Sequence, residues 1–196
     1  VAFIWTGLSL ILGWYISPWA FAATLLGLLL AWFYSMPPMR FKQNGWLGNA
    51  ACGISYEGLA WFTGSAVMMG DLLPSTQSIL LAILYSIGAH GIMTLNDFKA
   101  IEGDRQMGVL SLPVQLGIAG AAENACLMML VPQLGVFGLL LIWGAYWQAG
   151  VIVLLIAGQM IMMRNFLLDP VKRALFLSGF GVPLFVSGMM VSAFAV

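Results

Sequence analysis

The sequence predicts an all-α, polytopic membrane bundle, and three observations predict it. Hydrophobic residues make up 62% of the chain and charged residues 7%, whereas a soluble domain carries about 25% charged residues. The apolar residues fall into seven long runs separated by proline, glycine and polar breakers. All the lysines and arginines sit in alternate connections between those runs. The 23 glycines and 13 methionines suit membrane helices, where small residues let backbones approach closely. The net charge of zero gives no footing for nucleic acid. The spans leave no room for a soluble domain, so residues 1–196 read as a single transmembrane domain.

A spanning helix needs about 20 apolar residues. Val1–Ile16 is the first run. It begins inside an apolar helix with no initiator Met, no basic leader and no cleavage pattern, so the chain reads as the C-terminal part of something longer. Ser17-Pro18 breaks the chain, and Pro18–Tyr34 is the second run. A polar loop, Ser35–Gly45, carries Pro37-Pro38. The third run is Trp46–Met69, and Asp71–Ser75 separates it from the fourth, Thr76–Asn96. A charged stretch follows as far as Leu112-Pro113. The fifth run is Ile118–Ile142, in which Pro132 predicts a kink. Gly144-Ala145-Tyr146 is a break, Trp147–Leu167 is the sixth run, and Asp169-Pro170 ends it. The seventh is Val171–Val196, with Pro183 inside.

With one helix per run, Arg40, Lys42, Lys99, Arg105, Arg164, Lys172 and Arg173 all fall on one face. Cytoplasmic loops carry the excess of lysine and arginine, so this face is expected to be cytoplasmic.

The stretch Asn96–Arg105 concentrates Asp97, Glu102 and Asp104 with Lys99 and Arg105 at the mouth of an apolar helix. Charge placed there is costly unless something polar is handled. At about 100° per residue, His90, Thr94, Asp97, Ile101 and Asp104 share one stripe if the helix persists. Glu102 points elsewhere unless Gly103 loosens the turn. Asp97 and Asp104, with Glu102, are candidate ligands for Mg²⁺, which takes one or two carboxylates and fills its shell with water and substrate phosphates. The turn from Tyr34 to Trp46 carries Arg40 and Lys42, two apart. In an extended segment both can face one anion. Metal-bound acids beside cations are what departure of a diphosphate requires. Asn96, Lys99, Arg105 and Tyr34 complete the candidate diphosphate-binding set, and Asp97, Asp104 and Lys42 the candidate catalytic set. For either stretch alone, a solvated interfacial loop is the plain account; together they favour chemistry.

The string Tyr34-Ser-Met-Pro-Pro-Met-Arg-Phe-Lys-Gln-Asn-Gly-Trp-Leu-Gly-Asn49 resembles the signature of chlorophyll and bacteriochlorophyll synthases. So does Asn96-Asp-Phe-Lys-Ala-Ile-Glu-Gly-Asp-Arg-Gln-Met-Gly-Val-Leu-Ser-Leu-Pro113. These enzymes are intramembrane UbiA-type prenyltransferases. Ser55-Tyr56-Glu57 and Gly88–Thr94 are more similar to the purple-bacterial bacteriochlorophyll enzymes. The resemblance implies a nine-helix fold with two Asp-rich motifs. Seven helices without the first motif correspond to helices three to nine, with half of the metal site lying upstream. It also implies a reaction: a geranylgeranyl or phytyl diphosphate ionises with Mg²⁺ assistance, and the propionate carboxylate of a (bacterio)chlorophyllide captures the allylic cation. A carboxylate is already ionised near neutral pH, so no general base is required. The implied setting is a bacterial inner, photosynthetic membrane, with pigment-assembly proteins as possible partners.

Glu57 and His90 lie inside predicted spans, where an unpaired ionisable group is expensive. Both are candidates, with Tyr56 and Trp61, for lining a cavity that holds the pigment and prenyl chain. For His90 an interhelical hydrogen bond is an equal alternative, and for the aromatics simple packing. Cys52 and Cys126 lie in apolar runs without metal-ligand partners and read as small core residues. Glu123 and Asn124 read as solvated near a helix end. Alternatives remain: a UbiA-type enzyme acting on a quinone or haem precursor, or a non-catalytic pigment-handling or transport protein. The Lys42–Asn49 string argues against the first. The second usually shows paired broken helices and internal symmetry, which are not evident here.

Overall fold

The computed structural model describes residues 1–196. The chain is helical throughout, and its one bridge of β type is isolated. Helix α1 spans Ala2–Ile16 and α2 spans Pro18–Ser35, the latter capped by the Ser17 hydroxyl accepting from Ala20 N–H at 3.0 Å. A 3₁₀ turn, Phe41–Gln43, leads into α3, Gly45–Gly53. A π-helical segment, Ile54–Leu59, joins α3 to α4, Ala60–Met69. Then follow α5 (Thr76–Asp97), the short α6 (Ile101–Met107), α7 (Leu112–Ile142) and α8 (Tyr146–Leu168). Helix α9 (Pro170–Phe176) runs through a second π-helical segment, Leu177–Gly181, into α10 (Val182–Ala193).

Five helical runs are long and apolar enough to cross a membrane: α2, α5, α7, α8 and Pro170–Ala193. The expected count of seven is not reproduced by this criterion. Helix α1 has only 15 residues, and the Gly45–Met69 run is divided by its π segment. The protein is nevertheless an all-helical integral membrane bundle.

Helix α5 is the axis of that bundle. Of its apolar window 61% is buried, against 33% or less for the other four spans. It packs against α3, α7 and α10. Gly91 allows α5 to approach α7 closely, because a Cβ there would sit 3.0 Å from Met129 N. Tyr85, Phe98, Leu112, Met129, Phe166 and Phe185 belong to the one core cluster around it. Two polar pairs cross this core. Gln133 and Gln159 exchange amide hydrogen bonds at 2.9 and 3.1 Å between α7 and α8. Tyr85 and Ser192 share one at 2.8 Å between α5 and α10. Interhelical amide and hydroxyl bonds of this kind fix register where apolar packing alone is indifferent to it.

Helix α7 is broken at Gly117 (φ 73°, ψ 168°), so its long membrane-crossing part begins at Ile118, as expected, after a short helical piece from Leu112. One local expectation changes. The backbone stays helical through Pro132, where the Gln133 side-chain amide donates to the Met129 carbonyl at 2.8 Å. Pro183 lies inside the continuous run Pro170–Ala193, as expected, and directly follows the π segment Leu177–Gly181.

Candidate active site

Two connections predicted to converge are joined through their backbones. Leu110 N–H donates to Gln43 C=O at 2.9 Å, and Gly45 N–H donates to Leu110 C=O at 2.7 Å. Asn44 and Leu110 thereby form a parallel bridge. Glycine at position 45 is required by this seam, since a Cβ there would stand 2.6 Å from Leu112 N. Asn44 also starts α3, its Oδ1 accepting from Trp46 N–H at 2.9 Å and Leu47 N–H at 3.2 Å. The turn after α2 and the segment after α6 are therefore one unit.

Asp97 ends α5 beside this seam and is half-buried. Its Oδ2 accepts from Asn49 Nδ2 at 3.3 Å. Asn49, which is buried, donates to Thr94 Oγ1 at 3.2 Å as well, and Thr94 in turn donates to His90 C=O at 3.0 Å. Tyr34, at the end of α2, lines one recess with Cys52 and lies within electrostatic reach of Asp97. Asp104 is half-buried on α6 and close enough to Asp97 for their charges to interact.

The continuous stripe from His90 to Asp104 is broken. Helix α5 stops at Asp97, and Phe98, 2% exposed, turns into the core against Phe166 with ring centroids 5.4 Å apart. Helix α6 starts afresh at Ile101, yet it returns Asp104 to Asp97. Glu102 is exposed and accepts from Gln106 at 3.0 Å, one turn along the same helix. No group of three or more His, Cys, Asp or Glu side chains comes together anywhere, so Glu102 does not complete a three-carboxylate cluster.

The turn bearing Arg40 and Lys42 is not extended. Arg40 has φ 40°, the one non-glycine residue at positive φ, and Lys42 sits within the 3₁₀ turn that follows. Such backbone is costly and persists where the surroundings enforce it, here the seam and the Asn44 cap. Arg40, Lys42, Asn96, Lys99 and Arg105 are all exposed, and none of the four cations is ion-paired; the only salt bridge is Lys172–Asp169 at 3.1 Å, far along the chain. Asp97 and Asp104 thus face each other without a cation from the protein.

The cavity candidates do not share one hollow. Tyr34, Cys52, Ser55 and Tyr56 line a recess of ≈ 260 Å³ between α2 and α3. Trp61 lines another, where its Nε1 donates to Ser78 Oγ at 3.0 Å and its ring stacks on Tyr85 at 5.8 Å. His90 is buried with its ring 5.5 Å from that of Trp46 and with no partner for Nδ1. Glu57 is half-buried in the first π segment and makes no hydrogen bond or ion pair. Asn49 and Thr94 carry the arrangement around Asp97 but were not chosen from the sequence as site residues. The clue was their position: Asn49 closes the string that begins at Tyr34, and Thr94 stands three residues before Asp97.

The chain is 50% identical over its whole length to the bacteriochlorophyll synthase 33 kDa chain of Cereibacter sphaeroides, of which it covers 65%. It is 45% identical to the corresponding chain of Rhodobacter capsulatus, over 96% of this chain and 63% of that one. It is 41% identical to the chloroplastic chlorophyll synthase of Avena sativa, over 91% of this chain and 47% of that one. The chain thus spans less than two thirds of the length of these relatives. A solved chain from work on digeranylgeranylglyceryl phosphate synthase in membranes superposes with a TM-score of 0.79, covering 98% of this chain and 66% of that one, and at 20% identity shows a common fold. Residues 1–189 match the UbiA prenyltransferase family, and the chain belongs to that family.

Proposed function

We propose that this protein transfers a geranylgeranyl or phytyl group from its diphosphate to the propionate carboxylate of a (bacterio)chlorophyllide, the last step of (bacterio)chlorophyll synthesis. The observation that carries this reading is the seam: Leu110 holds the cationic turn against the segment that follows Asp97 and Asp104. The identity to bacteriochlorophyll synthase chains supports the choice of acceptor over a quinone or haem precursor.

The donor set fits Mg²⁺ in an open form. Two neighbouring carboxylates without a cationic partner supply hard oxygen ligands, and the other positions would go to water, diphosphate oxygens and the upstream half of the site that the resemblance implies. Asp97 and Asp104 would hold the ion, which when bound neutralises charge developing on the leaving group. The protein's own groups do the rest. Asn49 aims the Asp97 carboxylate. Arg40, Lys42, Lys99 and Arg105, unpaired at the mouth, bind the diphosphate, with Tyr34 and Asn96 at its margin. The prenyl C1–oxygen bond breaks with its electron pair leaving on diphosphate. A propionate oxygen then supplies the pair for the new ester bond. The site must exclude water from the allylic cation, which a mouth set in apolar helices favours.

The unipolar placement of the basic residues supports a cytoplasmic mouth, and the relatives support residence in a bacterial inner, photosynthetic membrane within reach of pigment-assembly proteins. The test is direct. Full-length protein in nanodiscs receives Mg²⁺, geranylgeranyl diphosphate and a chlorophyllide, and chromatography looks for the ester. No ester from chlorophyllide or bacteriochlorophyllide, with either prenyl donor, refutes the proposal.

A further inference from the structure

The recess beside Asp97 does not end at Tyr56. Its lining residue Ser55 also lines a second hollow of ≈ 520 Å³, bounded by Thr24 and Gly27 of α2 and by Leu59, Thr63 and Gly64. A third hollow, also ≈ 520 Å³, meets it at Ala60 and Gly64 but lies on the other flank of α4, against Ser78 of α5 and Ala193 of α10. The first two form one trough between α2 and the α3–α4 run. It starts at Tyr34 and Cys52, against Asp97, and runs toward the opposite membrane face.

We infer that this trough holds the isoprenoid tail of the diphosphate substrate, and that Gly27 and Gly64 set how long a tail it accepts. The inference rests on the prenyl-transfer reading above. Its basis is a match of lengths. At about 1.5 Å per residue, Gly27 lies roughly 10 Å along α2 from Tyr34, and Gly64 roughly 18 Å along the α3–α4 run from Cys52. An isoprene unit contributes four main-chain bonds of ~1.5 Å, or about 5 Å of extended length. A geranyl tail therefore ends near Gly27, a farnesyl tail short of Gly64, and a geranylgeranyl or phytyl tail just past it. Both glycines leave room where a tail would lie. A Cβ at Gly64 meets nothing within 4 Å, and one at Gly27 meets only Leu59 Cδ1 at 3.5 Å. A large side chain at either position therefore enters the trough instead of displacing core.

The experiment compares ester formation from geranyl, farnesyl and geranylgeranyl diphosphates by the full-length protein and its G64F, G64L and G27F variants, with helical content and thermal unfolding as folding controls. G64F should lower the geranylgeranyl-to-farnesyl ratio of kcat/KM by roughly tenfold or more, G64L by less, and G27F should also discriminate against farnesyl. An unchanged ratio in a folded, active G64F protein overturns the inference. If the unsubstituted protein makes no ester from any donor, the reaction assignment falls, and the trough is tested separately. A geranylgeranyl diphosphate analogue with a terminal diazirine is photolysed on the unsubstituted protein, and the labelled peptides are mapped. Label within residues 63–67 that unlabelled geranylgeranyl diphosphate displaces sustains the trough. Label elsewhere, or label displaced equally by phospholipid, overturns it as a groove for lipid.

Discussion

Replacing Asn49 by alanine removes the hydrogen bond that the Asp97 carboxylate accepts from the Asn49 amide. A hydrogen bond to a charged group contributes about 1.5–3 kcal/mol. At 3.3 Å the Asn49–Asp97 bond is longer than the common range, so the lower end, about 1.5 kcal/mol, applies. Thr94 keeps its own bond to the His90 carbonyl, which confines the loss to the aim of Asp97. If that aim is needed to hold the metal and diphosphate in the transition state, turnover falls about tenfold. The Mg²⁺ concentration for half-maximal rate should rise by a similar factor, so part of the rate returns at high Mg²⁺. The assay is initial-rate ester formation across a Mg²⁺ titration, with thermal unfolding recorded in parallel. A folded N49A protein whose turnover and half-saturating Mg²⁺ both stay within about twofold of the parent would refute the reasoning.

Four further outcomes are expected. Asp104→Asn, which keeps shape but removes a metal-binding charge, should cost about two orders of magnitude or more in turnover, measured at saturating prenyl donor. Glu102→Gln should cost less than about threefold in the same assay, because Glu102 lies outside the pair of carboxylates. Gly45→Ala should lower stability by about 1–3 kcal/mol through overpacking against the Leu112 backbone, read from thermal or denaturant unfolding in detergent. Gln133→Leu alone should cost about 1–3 kcal/mol by stranding the Gln159 amide, while the double change to leucine should recover most of it, read as a double-mutant cycle.

Much of the fold was legible because breakers in a membrane chain have few other uses. Ser17-Pro18, Asp71–Ser75, Gly144 and Asp169-Pro170 lie at or within a residue or two of helix ends in the structure. The meeting of the turn after α2 with the connection after α6 was also legible, since charge is so scarce that its clustering carries information. The local path was not. A helical stripe from His90 to Asp104 assumed one continuous helix, but Phe98 finds a core site against Phe166 and ends α5 there. Alternation assumed an extended Arg40–Lys42 segment, but the Asn44 cap and the seam to Leu110 wind it into a 3₁₀ turn. The π segments at Ile54–Leu59 and Leu177–Gly181 have no signature in apolar periodicity, because one added residue per turn shifts faces without changing composition. Asn49 was invisible as a site residue because its role depends on a neighbour 48 positions away.

The link between Gln43, Gly45 and Leu110 is made by main-chain atoms alone. Exchange of Arg40, Lys42, Glu102 or Arg105 therefore leaves the spacing between the two connections untouched. A descendant of this chain can trade one headgroup or one macrocycle for another by altering the tools on the bench, while the vice that holds the workpiece keeps its setting.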